Sequence, residues 1–223
     1  MNDRPCPSCG APVQFRSAAP YAVCPYCQSL LVRRDATLES IGRVAEVPED
    51  FSPLQLNVSG LFDGKRFTLI GRQRKAWDQG SWSEWCALFD DQRLGWLAEA
   101  QGDLVMTFER KSQLFAPVPD KTNLDGVQPG AVFKLGDRRF TVTDVKSVIC
   151  LGAEGELLSS PPPPGGIQMM SIDMRGPGLE FGTLESSAAG VSVFTGRYVD
   201  FTECRFSGLR ALEGWRPPAA SPQ

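Results

Sequence analysis

The chain has 223 residues, 42% of them hydrophobic and 22% charged, with a formal net charge of -3. That length exceeds a single domain of ~100–150 residues, and the composition is that of a folded globular protein, not a disordered or collagen-like one. The mild acidic balance excludes a broad electrostatic grip on phosphate backbone as the main task. The absence of histidine removes Ser-His-Asp and Cys-His nucleophile activation and the commonest proton carrier near neutral pH.

The N-terminus, Met-Asn-Asp-Arg-Pro-Cys, has no apolar h-region, and no stretch approaches the ~20 apolar residues of a membrane span, so a cytoplasmic location is expected. Cys6-Pro-Ser-Cys9-Gly10 is followed by Cys24-Pro-Tyr-Cys27, with fourteen residues between Cys9 and Cys24. Each Cys-x-x-Cys turn presents two thiolates to one tetrahedral ion, and a hairpin between them brings the turns face to face. Residues 1–35 therefore read as a zinc ribbon with Cys6, Cys9, Cys24 and Cys27 as metal ligands. A segment so short cannot bury enough apolar surface to order itself, and the metal would supply the folding free energy. Four thiolates leave no open coordination position, so the expected zinc is structural; iron also accepts four cysteines and stays open. Cys86, Cys150 and Cys204 stand singly in apolar runs and read as small core residues.

Residues 36–53 read as a linker. Two β-rich modules follow, over 54–118 and 119–213, with a Pro/Ala-rich tail at 214–223. In the first module Phe67–Ile70, Glu84–Phe89, Gly95–Leu97 and Leu104–Phe108 are strand-like runs separated by turn residues. The second repeats the rhythm at Ala131–Leu135, Phe140–Leu151, Ile167–Met174, Leu179–Leu184 and Val191–Phe194. Gly64-Lys-Arg-Phe-Thr-Leu-Ile and Asp137-Arg-Arg-Phe-Thr-Val-Thr resemble each other at a spacing of 73 residues, a candidate internal duplication. Pro161–Gly166 belongs in a loop. The fold class is all-β: a ribbon and two modules, either small barrels or one sandwich.

Trp77, Trp82, Trp85 and Trp96 crowd one interval, with two readings: a binding surface that includes Glu84, or core packing. Alternation puts Trp82, Glu84, Cys86 and Leu88 on one strand face and Ser83, Trp85, Ala87 and Phe89 on the other. Glu84 then needs a buried partner, and a hairpin turning about Gln79 would set Arg74 opposite it. Arg72, Arg74 and Lys75, like Lys65 and Arg66, read as solvated strand edges, and the acid pairs Glu49-Asp50 and Asp90-Asp91 as solvated turns.

Gly80-Ser-Trp-Ser-Glu-Trp85, Gly95-Trp-Leu-Ala-Glu-Ala-Gln-Gly102, Asp173-Met-Arg-Gly-Pro-Gly178 with Phe181-Gly-Thr, and Gly196-Arg-Tyr-Val-Asp200 together resemble the bacterial family known as domain of unknown function 4178. The resemblance covers most of residues 54–210. It implies a common accompaniment by an N-terminal zinc ribbon and, through gene neighbourhood, a tie to polyamine-related or envelope-stress systems, but no reaction. The function expected is a non-enzymatic interaction or adaptor protein with a protein partner. The alternative is nucleic-acid binding through the ribbon, with Arg4, Arg16, Arg33 and Arg34 beside Tyr21 and Tyr26. An enzymatic role ranks third and calls for a concave pocket with convergent polar groups and perturbed carboxylates.

Overall fold

The structure, a computed structural model, describes residues 4–35, 37–111, 115–116, 124, 126–161, 168–187 and 190–218. Its described residues are all strand, turn and loop, without a helix. The ribbon begins with β1 (Arg4–Pro5) paired to β2 (Pro12–Val13) and continues as β3 (Tyr21–Val23), β4 (Ser29–Arg34) and β5 (Thr37–Arg43). Thus the stretch expected as a linker opens with a strand. β5 is exposed along most of its length, so it lacks the apolar alternation by which a half-buried strand is recognised.

The next five strands are β6 (Ser59–Phe62), β7 (Lys65–Trp77), β8 (Gly80–Phe89), β9 (Leu94–Ala100) and β10 (Asp103–Arg110). After β11 (Phe115–Ala116), the chain repeats the series as β12 (Val132–Leu135), β13 (Arg138–Leu157), β14 (Met169–Arg175), β15 (Glu180–Ser187) and β16 (Gly190–Val199). The repetition extends to the pairing register. Moving from Lys65 to Arg138, 73 residues on, carries each pair of the β6–β7 hairpin onto a pair of β12–β13. The irregularity between Leu69 and Gly71 in the β7–β8 ladder recurs between Val142 and Asp144 in β13–β14. From β8 onward the displacement is 87 residues, taking Glu84↔Ala98 to Ser171↔Glu185 and Thr107↔Trp96 to Phe194↔Thr183. The change of displacement falls where β13 runs on to Leu157 and the proline-rich stretch follows; residues 162–167 of that stretch lie outside the described residues.

The two series do not close separately. β7 pairs with β13 and β10 with β16, so β7, β8, β9, β10, β16, β15, β14 and β13 form one closed antiparallel ring, an eight-stranded barrel to which each module gives four strands. At the first seam Ala76 faces Ile149, and at the second Phe108 faces Thr195. Each of these residues meets its own counterpart, which marks a two-fold axis through both seams.

Closure sorts side chains by alternation into an inside and an outside. Outside, Phe67, Leu69, Trp85, Phe89, Leu97 and Met106 are covered by Leu54, Val58 and the returning segment with Cys204 and Phe206. Around the ring, Phe140, Val142, Ile172, Met174, Leu184 and Val193 pack under Phe115, Leu124 and Phe133. One barrel end is filled by the ribbon and the residues after it: Val23, Leu30 and Val44 pack against Ile70, Cys86, Trp96 and Phe194. β3 extends the sheet from the last residues of β13. Buried Glu156 accepts hydrogen bonds from the backbone N–H groups of Arg16 (2.7 Å) and Ser17 (3.1 Å) and from the Ser17 hydroxyl (2.6 Å).

Several solvated charges expected from the sequence are buried instead. Arg72 and Lys75 are 3% and 1% exposed. The ring turns Lys75 inward, while Arg72 lies beneath the segment before β6, stacked on Trp85 at 4.4 Å and paired with Asp50. Asp50 also binds Arg74 at 2.5 Å, so this acid is an anchor and not a solvated turn. Arg74 faces Ser83, and Glu84 faces Gln73, because the hairpin turns on two residues, Asp78 and Gln79, and not about Gln79 alone.

At the β7–β13 seam Gly71 opposes Gly155, and a Cβ on Gly71 would run into the Glu156 carbonyl. The neighbouring atom is backbone of a closing strand and cannot swing aside. Gly71→Ala is therefore expected to destabilise the protein by about 3 kcal/mol or more, read as a lowered urea midpoint. Gly64→Ala, where the added carbon meets nothing within 4 Å, is the comparison: its φ of 74° carries a backbone penalty of roughly 1–2 kcal/mol.

Candidate functional site

Two sites lie at opposite ends of the molecule's logic, one of sulfur and one of charge. In the ribbon, the two Cys-x-x-Cys turns are built alike. Gly10 N–H closes on the Cys6 carbonyl (2.8 Å) and Gln28 N–H on the Cys24 carbonyl (3.0 Å), with Gly10 and Gln28 both at positive φ, 77° and 59°. The four Sγ atoms lie within 4.8 Å of one another, with Cys6–Cys27 and Cys9–Cys24 each at 3.8 Å. A tetrahedral ion at a metal–sulfur distance of ~2.3 Å spaces its sulfurs by about 3.8 Å. The cluster could thus hold a metal ion through Cys6, Cys9, Cys24 and Cys27. Hydrogen bonds from the Ser29 side chain and backbone draw the Cys27 thiol down to about 6. The Ala11 backbone favours the Cys9 thiolate, but the other three sulfurs outweigh it and hold that thiol up at about 12. With all four deprotonated, a cation among them would offset their mutual repulsion.

The second site is the barrel interior, a cavity of about 160 Å³. Trp77, Ala100 and Asp103, next to the Asp78–Gln79 and Gln101–Gly102 turns, line it at the end away from the ribbon-side core. Trp77, Trp82, Trp96, Phe181, Phe194 and Tyr198 line it together with Glu84, Asp103, Lys146, Asp173, Thr183 and Glu185. Of the binding-surface candidates, Trp77, Trp82, Glu84 and Trp96 meet here. Trp85 points to the other side of β8, fully buried, where its indole N–H donates to Glu99 (3.1 Å). Trp77 and Trp82 stack obliquely at 5.5 Å, and Trp96 forms the cavity floor against the ribbon-side core.

Polar groups inside are organised around Lys75. Its ammonium lies 2.8 Å from Glu84 and 2.5 Å from Glu185. Glu84 also accepts from Gln73 (2.7 Å) and from the Trp82 indole (2.9 Å). Burial opposes the charge on Lys75, but two carboxylates outweigh it and raise the ammonium's pKa. One ammonium cannot neutralise two buried acids. Burial, with Glu84 adding to it, pushes Glu185 up to about 7. Burial likewise raises Asp173, against the pull of Lys146 at 3.4 Å.

Sequence reasoning placed Glu84 and three tryptophans here but missed Lys75, Lys146, Asp173, Glu185 and Tyr198. Asp173 and Tyr198 sat in the family-like segments, while the lysines and Glu185 give a signal only once the register shows that they share Glu84's side. The ribbon arginines are engaged within the chain. Arg16 bonds Asn57 (2.5 Å), Arg33 stacks on Phe15 and reaches the Ser17 carbonyl, Arg34 pairs with Glu39, and Arg4 reaches the Asp35 carbonyl. Tyr26 is 69% exposed, and Tyr21 packs into the ribbon–barrel core.

A closed β-barrel with an interior cavity, capped by a four-cysteine ribbon, is the class of protein that these features define. The family profile described as "Domain of unknown function (DUF4178)" matches residues 55–201, and the chain belongs to that family. The matched span runs from just before β6 to just after β16, which is the duplicated barrel, with the ribbon outside it. No curated protein and no solved structure matches the chain.

Two outcomes test this geometry. Cys24→Ser removes one of four donors, and metal content measured on the purified protein is expected to fall well below that of the wild type, with faster proteolysis of the first 35 residues. Glu185, whose pKa rises from 4.5 to about 7 on folding, favours the folded state most at low pH and loses that contribution as pH climbs through this window. Relative to Glu185→Gln, the wild type is expected to lose stability between pH 4.5 and 7 and to hold a constant difference above that, in urea titrations.

Proposed function

We propose that this chain is a non-enzymatic binding protein whose barrel takes a small molecule into its interior, while a structural zinc ion fixes the ribbon that closes the far end. The observation that carries the reading is convergence. The segments resembling the family supply Trp82, Glu84, Trp96, Asp173, Phe181, Thr183 and Tyr198 to the single cavity lined from all eight barrel strands. Apolar walls with a few placed polar groups are the usual make-up of a ligand site. The cavity is about the size of one known to hold a benzene molecule, roughly 150 Å³.

An acid–base role for Glu185 is the second reading, favoured by its raised pKa inside a cavity. The arrangement around it supports binding instead. Glu84 is occupied by Lys75, Gln73 and Trp82, and Glu185 is itself held by Lys75, so the two nearest acids are spent on internal pairing. The adaptor role rests on the ribbon. Among the described residues β5 ends the sheet with one edge unpaired, and Ile41 on it is 46% exposed. Such an edge suits an added strand from a protein partner.

The test fills the cavity. Ala98 lines it from β9, and Ala98→Leu should abolish the tryptophan-fluorescence response to small molecules that bind the wild type, with unfolding temperature unchanged. Retention of full binding by Ala98→Leu would place the ligand elsewhere, and chemical conversion of a bound compound would overturn the non-enzymatic reading.

A further inference from the structure

The cavity carries more information than its existence. Four carboxylates line it, Glu84, Asp103, Asp173 and Glu185, against one lining ammonium, Lys146. Counting Lys75, which sits between Glu84 and Glu185, the formal surplus is two negative charges. Surplus charge against apolar walls is costly, and it is relieved when an acid takes up a proton, as the raised pKa of Glu185 reflects, or when a counter-charge enters.

The walls add a second, independent preference. The faces of Trp77, Trp82 and Tyr198 carry negative quadrupole potential, and cations are held over such faces. The chain already uses this device on itself: the Lys146 ammonium lies 5.5 Å from the centre of the Trp77 ring and 3.4 Å from Asp173, with Asp144 as its other partner. At the floor, the Trp96 indole N–H is buried and has no acceptor among the described residues. An indole N–H in that state calls for an acceptor atom on whatever occupies the cavity.

We propose that the barrel cavity is a site for a compact organic ammonium ion carrying a hydroxyl or other acceptor group, its cationic head between the Trp77, Trp82 and Tyr198 walls and facing Asp173, its acceptor toward Trp96. This rests on the small-molecule reading above and names the ligand's chemistry. A volume of about 160 Å³ limits the ion to approximately the bulk of benzene, a head with two or three further heavy atoms. Choline has that size and both groups.

The experiment compares choline with its uncharged isostere 3,3-dimethyl-1-butanol, and with tetramethylammonium, by tryptophan fluorescence and calorimetric titration on the full chain. Choline is expected to bind at least tenfold more tightly than the alcohol, and tetramethylammonium to fall between them. Asp173→Asn should weaken choline at least tenfold and leave the alcohol within twofold. Asp103→Asn, at an exposed rim position, should weaken choline by about threefold through lost surface charge alone and serves if the buried substitution fails to fold. Equal binding of choline and the alcohol would sink the cation assignment while leaving a small-molecule site. No binding of any of the three to a folded wild type would overturn this assignment, whereas the broader reading falls only if no small molecule responds to Ala98→Leu.

Discussion

The antiparallel seam between β7 and β13 governs this molecule. Without it the strands would form an open sheet with its inner face turned to water. With it, each residue of eight strands is committed to an interior or an exterior, and the seam is close enough that Gly71 and Gly155 face one another across it. Lys75 lies inside for that reason alone. Buried charge follows from closure, and the carboxylates that meet Lys75 come from β8 and from β15 on the opposite repeat. The interior is thus wired across the duplication through Glu185, which reaches Lys75 from the other repeat.

Duplication also explains why the barrel has unlike ends. A two-fold axis crossing both seams exchanges the mouths, so an undecorated barrel of this kind would have two equivalent openings. The ribbon removes that equivalence by filling one opening with Val23 and Leu30. Divergence did the rest. The position of Glu84 in the first repeat is Ser171 in the second, and that of Ala98 is Glu185.

Much of this was legible beforehand. The cysteine spacing pointed to four sulfurs meeting at one place, and Cys6, Cys9, Cys24 and Cys27 do lie together, because tetrahedral coordination leaves little geometric choice. The strand-and-turn rhythm gave the all-β class, and alternation along Trp82–Phe89 separated the two faces that the structure shows. Seven similar residues near Lys65 and Arg138 pointed to a repeat whose full extent emerges in the ladder registers. Charges were the blind spot. Arg72, Lys75 and Asp50 look solvated in any local window; the pairing of β7 with β13 closes the ring around Lys75, and the segment before β6 brings Asp50 over Arg72. A single residue of turn placement exchanged Arg74 for Gln73 opposite Glu84, since local sequence fixes a hairpin's register only as well as it fixes its turn.

Trp96 belongs to two neighbourhoods at once. One side of the ring touches the hydrophobic contacts that seat the ribbon, and the other bounds the barrel cavity. Were both places filled, a shared wall of this kind would offer a route by which one occupancy biases the other. Thermodynamic reciprocity then sets a strict condition: by whatever factor sulfur-bound metal alters affinity in the chamber, an occupant of the chamber must alter the hold on that metal equally.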